Sequence, residues 1–123
     1  MTKYQALFDF FSSFGIPAYL ESSVPETADF PYITYNLVTS TFTQEAATNM
    51  VVNVFYRQNE AVANDKVSEI SRAIGLNGRL LNCEDGKVWL QRGNPWCQSM
   101  SDPVDDKIQR RYLNVTAYFF TKN

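Results

Sequence analysis

An α+β fold is predicted for this sequence, built mainly from an antiparallel sheet with two helices packed on it and a long β-hairpin arm. Its length of 123 residues is the size of one domain. Two stretches repeat apolar residues at helical spacing, and several shorter runs are rich in β-branched and aromatic residues. Because the predicted strands are neighbours in the sequence, we expect antiparallel pairing and a single domain over residues 1–123.

A first helix is predicted at the N-terminus, over residues 2–14. Thr2 followed three residues later by Gln5 fits a capping box, and Gly15 supplies a left-handed stop. Apolar side chains recur at helical spacing and form one stripe that needs a sheet to bury it. These side chains are Tyr4, Leu7, Phe8, Phe11 and Phe14.

Two long strands are predicted next, over residues 32–41 and 49–56, after a short edge strand at residues 17–21. Both carry hydrophobic side chains on each of their faces, which predicts a sheet covered on both sides. The polar segment 40–48 that joins them is longer than a minimal hairpin loop. We therefore expect the two strands to project as an arm, with Phe42 exposed near its tip.

A second helix is predicted over residues 59–74, with Asn59 as its N-cap and Gly75 just beyond its end. The face opposite its apolar stripe carries an ordinary mixture of charged residues, so we expect that face to contact solvent. The stripe consists of Ala63, Val67, Ile70 and Ile74.

The last third of the chain predicts a hairpin, a linker and a closing strand. The sequence Glu84-Asp85-Gly86 favours a turn between strands at residues 79–83 and 87–92. Residues 93–106, which hold two prolines, are predicted as a long linker. A strand over residues 107–121 follows and places its aliphatic side chains on one face. That face carries Leu113, Val115, Ala117 and Phe119.

Composition argues against several classes of function. The chain contains no histidine, which is the commonest general base and the commonest metal ligand. A net charge of −2 gives no global reason to bind nucleic acid or an anionic membrane. No apolar run reaches the ~18 residues that a membrane span needs, and the N-terminus lacks a secretory pattern. We expect cytosolic synthesis and no cofactor, metal, membrane or specific nucleic-acid partner.

Two further groups of residues could carry chemistry. The acidic cluster Asp102, Asp105 and Asp106 does not have the spacing of an EF-hand, and we interpret it as solvated loop charge. Cys83 and Cys97 are expected to be free thiols in a reducing cytosol, with a disulfide as the alternative. The sequence has no Gly-rich phosphate loop and no serine nucleophile motif. We therefore expect that the protein is not an enzyme.

The aromatic residues divide into a core group and a loop group. Phe8, Phe11, Phe55 and Phe119 lie at core-facing spacing, so packing alone accounts for them. Aromatic, Met and Arg residues are enriched at protein interfaces, so the members of the loop group are candidates for partner contact. The alternative is that these loops fold back on the core. The loop group consists of Phe42, Trp96 and Met100.

The local basic cluster consists of Lys107, Arg110 and Arg111. On a strand the two arginines point to opposite faces, so they do not form one patch. Weak phosphate contact and surface ion pairs with nearby aspartates are both compatible with this cluster. The residues predicted to contact a partner are Phe42, Thr43, Gln44, Glu45, Trp96, Met100, Arg110 and Arg111.

Several stretches spread over nearly the whole chain carry a family pattern. They are Phe30-Pro31-Tyr32-Ile33-Thr34-Tyr35 with the β-rich arm after it, Glu69-Ile70-Ser71-Arg72-Ala73-Ile74-Gly75, Val88-Trp89-Leu90-Gln91-Arg92-Gly93-Asn94-Pro95-Trp96, and Asp102-Pro103 with Arg110-Arg111-Tyr112-Leu113-Asn114-Val115. In these stretches the chain resembles small tail proteins of long-tailed bacteriophages. It is most similar to the tail-terminator or tail-completion proteins.

The resemblance implies a structural protein of the virion tail, without catalysis, that is assembled in the bacterial host cytoplasm. Such terminators are α+β subunits whose hexameric rings cap the finished tail tube and offer a surface to the head. The implied partners are other copies of the chain, the tail-tube protein and the head–tail connector proteins, with DNA passing through the ring. A ring needs a heterologous interface in which two different patches meet.

Two other functions remain open at the level of the sequence. One is a head-side neck or joining protein from the same region of a phage genome, since such proteins have similar size and composition. The other is a small enzyme or regulatory binding module that uses carboxylates or serine. A deep pocket with convergent Asp, Glu or Ser side chains would favour that function, whereas a flat sheet with protruding loops would argue against it.

Overall fold

Six strands form one sheet, and two helices pack on it, so the predicted α+β class is confirmed. The computed structural model describes residues 1–41, 47–105 and 107–123. The strands are mostly antiparallel. In chain order the elements are α1 (Lys3–Ser12), β1 (Ala18–Leu20), a 3₁₀ turn (Glu21–Ser23), β2 (Tyr32–Tyr35), β3 (Thr48–Arg57), α2 (Glu60–Ile74), β4 (Arg79–Cys83), β5 (Gly86–Ser101) and β6 (Ile108–Thr121).

The strand order in the sheet is β1-β2-β3-β6-β5-β4. Only the β1–β2 pair is parallel, and every other neighbouring pair is antiparallel. The long hairpin of the fold is formed by β5 and β6, which pair from Gly86 with Thr121 to Ser101 with Gln109. β1 and β4 are therefore the outermost strands.

Helix α1 begins as predicted but is rotated relative to the predicted stripe. Thr2 and Gln5 form the capping box, in which the Thr2 hydroxyl accepts from the Gln5 backbone N–H at 3.2 Å. The buried face is built on Leu7 and Phe11, as expected, together with Ala6 and Phe10. Phe14 packs partly buried against the core, but the prediction for Tyr4 and Phe8 was wrong. Tyr4 is 49% exposed and Phe8 is 47% exposed.

Both helices bury their apolar faces in one core, which lies on one face of the sheet. From α2, Ala63, Ile70 and Ile74 are buried, as predicted. The inward side chains of β6 are also buried as predicted. The main sheet residues of this core are Ile33, Met50, Val52, Val54, Val88, Leu90, Leu113, Val115, Ala117 and Phe119. The opposite face carries no helix among the described residues, so the prediction of a sheet covered on both sides was wrong.

Strand β5 is much longer than predicted, and the predicted linker at residues 93–106 was wrong over most of its length. A register shift between Arg92 and Cys97 interrupts the pairing with β6, and Pro95 lies inside it. Such an irregularity lets a strand continue past a residue without a backbone N–H. The Asn114 side-chain amide donates to the Pro95 carbonyl oxygen at 2.8 Å and holds this site against β6.

Strand β2 is shorter than predicted, because it ends at Tyr35 rather than at residue 41. Beyond it, Asn36 makes two hydrogen bonds to Val51 of β3: its side-chain oxygen accepts from the Val51 N–H at 2.7 Å, and its backbone N–H donates to the Val51 carbonyl oxygen at 3.2 Å. The base of the predicted arm is held by α1, since the Lys3 ammonium donates to the Ser40 carbonyl oxygen at 3.0 Å. Phe42, Thr43, Gln44 and Glu45, which were predicted to contact a partner, lie outside the described residues.

Candidate assembly interface

The uncovered face of the sheet is rich in aromatic side chains. Successive side chains of a strand point to opposite faces of the sheet. Because these strands bury one set of side chains in the core, the aromatic side chains of the other set point outward. We call this surface the open face. Its aromatic members on the strands are Tyr19, Tyr32, Phe55, Trp89, Tyr112, Tyr118 and Phe120.

A first group of rings covers the open face over β1, β2 and β3. The rings of Tyr32 and Phe55 stack with their centroids 5.2 Å apart. Tyr19 and Phe30 flank Tyr32 at 5.8 Å and 5.2 Å. Burial is the main reason that the pKa of Tyr32 is raised above its usual value.

Two arginines extend this group of rings. The Arg110 guanidinium lies 6.0 Å from the Phe55 ring and 5.9 Å from the Tyr112 ring, and Arg57 lies 5.2 Å from the Phe30 ring. Arg57 also pairs with Asp105 at 3.5 Å. Arginine stacked on aromatic rings is the composition that protein interfaces favour.

The turn between β5 and β6 is ordered by its own aspartates. Asp102 accepts from the backbone N–H groups of Val104 at 2.8 Å and Asp105 at 3.1 Å. These two hydrogen bonds are the main reason that the pKa of Asp102 lies below its usual value. Asp102 therefore orders the turn and Asp105 forms an ion pair, which goes beyond the solvated loop charge that the sequence suggested, while Asp106 lies outside the described residues.

A second group of rings covers the open face over β5 and β6. Trp89 and Tyr118 are register partners, with ring centroids 5.2 Å apart, and the Tyr118 and Phe120 rings are parallel at 6.5 Å. Leu80 of β4 faces Trp89 and is 52% exposed. Asn114 and Thr116 lie between the two groups on β6, so the open face carries two separate aromatic patches.

The structure separates the predicted contact residues that it describes. Met100 and Arg110 are register partners on the open face, so these two lie together as an interface would require. Trp96 is not in a loop. It lies on β5 and packs against the core, which corrects its placement and matches the alternative that it folds back on the core.

Arg111 is also not a surface contact residue, because it points to the helix side and is only 8% exposed. Its guanidinium donates to the Tyr56 hydroxyl and, from Nε at 3.3 Å and Nη2 at 3.1 Å, to the Asn64 side-chain oxygen. The Tyr56 hydroxyl donates in turn to Gln109 at 2.9 Å. Arg111 thus ties α2 to the sheet, while Arg110 points to the opposite face, as the sequence predicted.

An uncovered strand edge borders the open face. β4 pairs only with the Gly86–Leu90 part of β5. From Gln91 to Ser101, β5 has β6 on one side and no strand of the described chain on the other. Unpaired backbone N–H and C=O groups on such an edge can accept a strand from another chain.

An apolar groove lies between α1 and β1, on the helix side of the sheet. Its volume is about 380 Å³. The half-exposed rings of Tyr4 and Phe8 line it, together with Leu37. The sequence missed this groove because Phe8 was predicted to be buried.

The described residues do not assemble a group of three or more Cys, Asp or Glu side chains that could hold a metal ion. Cys83 and Cys97 are both free, and burial raises the pKa of the Cys97 thiol. Over the same residues, neither helix combines the length and apolarity that crossing a membrane requires.

Comparison of the sequence with protein-family models finds no matching family, and comparison with curated proteins finds no match. The open face, the β5 edge and the apolar groove therefore carry the functional argument from geometry. Periodicity indicates that both faces of β3 and β6 carry apolar or aromatic side chains, but it does not show which of the two faces the helices leave uncovered.

Proposed function

We propose that this protein is a structural subunit of a long-tailed bacteriophage that assembles as a ring on the end of the completed tail tube. The observation that carries the proposal is the open face, where two groups of aromatic side chains and two arginines cover a sheet surface that no helix of the described chain packs on. Aromatic and Arg residues supply most of the binding energy at protein interfaces. The sequence resemblance to tail terminators supplies the phage setting.

The proposal assigns different surfaces to different partners. The open face, with Met100 and Arg110, contacts the tail-tube protein, because an extended sheet surface with two groups of aromatic side chains suits a broad contact with the end of a tube. The connector proteins contact a different surface of the assembled ring. Contacts between copies use a separate pair of patches, since a ring closes only through a heterologous interface.

The charge of the chain suits a conduit for DNA. Each copy carries a net charge of −2, so a ring of identical copies is mildly acidic. DNA phosphates are repelled weakly by such a ring and slide through it rather than adhere. The proposal therefore includes passage of DNA without sequence recognition.

The test uses tails purified from the phage that encodes the chain, grown under a block of head assembly. We expect the protein on these headless tails, at the end of the tube, and in a fixed number of copies. Finding it on tail-less heads instead would favour the neck or joining function. Finding it on neither particle would refute a virion role.

A pair of variants tests whether the open face binds the tail tube. Leu80→Asp and Phe120→Asp place charge on exposed positions of the second ring group, so we expect the fold to survive and binding to purified tail tubes to be lost. Val104→Asp is the matched control, because Val104 is 94% exposed in the β5–β6 turn. Tube binding by both open-face variants at the level of this control would refute the assignment.

A further inference from the structure

The segments that lead into the two outermost strands differ in charge, although Glu84 and Asp85 follow β4 directly. The segment from Pro17 to Pro31, around β1, contains three carboxylates and no lysine or arginine. The segment from Ile70 to Asn82, which leads into β4, contains two arginines and no carboxylate. Arg92, on β5 beside β4, adds a third exposed positive charge. None of these groups forms an ion pair with another described residue.

An exposed leucine projects from the basic side. Leu76 lies in the turn between α2 and β4 and is 88% exposed. Gly75 and Gly78 hold this turn with φ angles of +77° and +84°, a backbone region that suits glycine. Arg72 and Arg79 flank the leucine in the sequence, and both are exposed. The turn is therefore an apolar tip between two positive charges.

The acidic side carries the complementary shape. The apolar groove between α1 and β1 has about 380 Å³ of space, enough for a branched aliphatic side chain. Asp9 is exposed one helical turn after Gln5, which lines the groove. Glu21 follows β1 and lines the adjoining cleft. The groove is thus an apolar slot between two negative charges.

We propose that the Leu76 turn of one copy docks in the groove between α1 and β1 of the next copy, with Arg72 and Arg79 facing Asp9 and Glu21. This inference rests on the proposed function, for which it supplies the contact between ring subunits. The apolar contact excludes water, and the charges at its rim fix the register and speed association. Because tip and groove are different patches on one chain, the contact is heterologous and repeats from copy to copy.

The experiment uses two variants that each destroy one half of the contact. Leu76→Asp removes the tip, and Phe8→Asp places a charge in the groove. We expect each variant alone to be monomeric by native mass spectrometry at concentrations where the wild-type chain assembles. In an equimolar mixture the intact tip of the Phe8→Asp chain meets the intact groove of the Leu76→Asp chain. The mixture should therefore give a one-to-one pair and no larger species.

The control and a second set of variants keep the test decisive. Val104→Asp, at another exposed apolar position, should assemble like the wild type. If Phe8→Asp does not fold, as judged by circular dichroism, Asp9→Arg with Glu21→Arg replaces it and should also prevent assembly. Adding Arg72→Glu and Arg79→Glu to that chain reverses the sign of the charges on both sides of the contact, so assembly should return.

The outcomes separate this inference from the proposed function. If Leu76→Asp forms the same rings as the wild type, the proposed contact is overturned, but the proposal that the protein forms a ring is not. Full-size rings from the mixture would also overturn it, because the subunits would then meet through other surfaces. Pairing as predicted, with no protein on tails, would support the contact and refute the tail role. A wild-type chain that stays monomeric at millimolar concentration would overturn both.

Discussion

Replacing Arg111 tests whether this arginine ties the fold together or contacts a partner. It is almost fully buried, and its three hydrogen bonds go to Tyr56 and Asn64, which are uncharged. No described carboxylate pairs with it. Hydrogen bonds to a charged group each contribute about 1.5–3 kcal/mol, whereas burying a charge costs several kcal/mol. The two effects largely offset each other in the native protein.

Two substitutions separate these effects. Arg111→Met keeps the apolar stem and removes the buried charge, so we expect the free energy of unfolding to fall by only about 1 kcal/mol. Arg111→Lys keeps the charge but loses the planar group that reaches both partners, so we expect a loss of about 3 kcal/mol. Arginine and lysine differ here because the ammonium cannot donate to Tyr56 and Asn64 with the same geometry.

Urea unfolding followed by circular dichroism measures both values. With a slope of about 2 kcal/mol per molar urea, the expected midpoint shifts are about 0.5 M for Arg111→Met and about 1.5 M for Arg111→Lys. A lysine variant that is more stable than the methionine variant would refute the balance described above. Unchanged stability of Arg111→Met combined with lost assembly would show that Arg111 contacts a partner after all.

Three other predictions follow from single sites. Trp96→Ala should lower the free energy of unfolding by about 2 kcal/mol in urea titrations, since Trp96 packs on the core. An unchanged urea midpoint would show that Trp96 does not contribute to the core. Gly86→Ala should lower the melting temperature far more than Gly15→Ala. A Cβ at Gly86 would meet a backbone oxygen at 1.9 Å, whereas the nearest atom to a Cβ at Gly15 is 3.6 Å away. Equal losses in melting temperature would contradict this. The lowered pKa of Asp102 stabilises the fold above the usual aspartate pKa, and this contribution is lost as the pH falls through the folded value. Melting curves between pH 7 and pH 2 should therefore show a larger loss for the wild type than for Asp102→Asn, and parallel losses would refute the role of the carboxylate.

Local signals in the sequence predicted much of the fold. The Thr2–Gln5 capping box and the Asn59 cap mark both helix starts, because capping depends on side chains within one turn. The alternation along β6 correctly placed Leu113 and Val115 in the core, since the side-chain period of a strand is fixed by its backbone.

Other features depend on tertiary contacts that periodicity does not encode. In α1, a stripe through Phe8 and a stripe through Phe10 both have helical spacing, and only packing on the sheet selects Phe10. Pro95 resembles a linker residue, yet the register shift beside it lets β5 continue to Ser101. Both errors concern residues whose neighbours are distant in the sequence.

The candidate interface was predicted in part for the same reason. Met100 and Arg110 meet on the open face, but the sequence could not show that they are register partners across the β5–β6 hairpin. Strands with apolar side chains on both faces read equally well as a covered sheet or as an interface. The sequence assigns Phe55 to the core group and Tyr32 to neither aromatic group. Their stacked rings are recognised as surface only when both helices are found on the other face of the sheet.

The copy number of the wild-type assembly tests the central claim most directly. Native mass spectrometry of the purified chain over a concentration series, with electron microscopy of the largest species, measures that number and shows whether the particle is closed. The account predicts a closed ring of one fixed copy number that binds the end of purified tail tubes. A monomer at every concentration, with no binding to tubes, would contradict it.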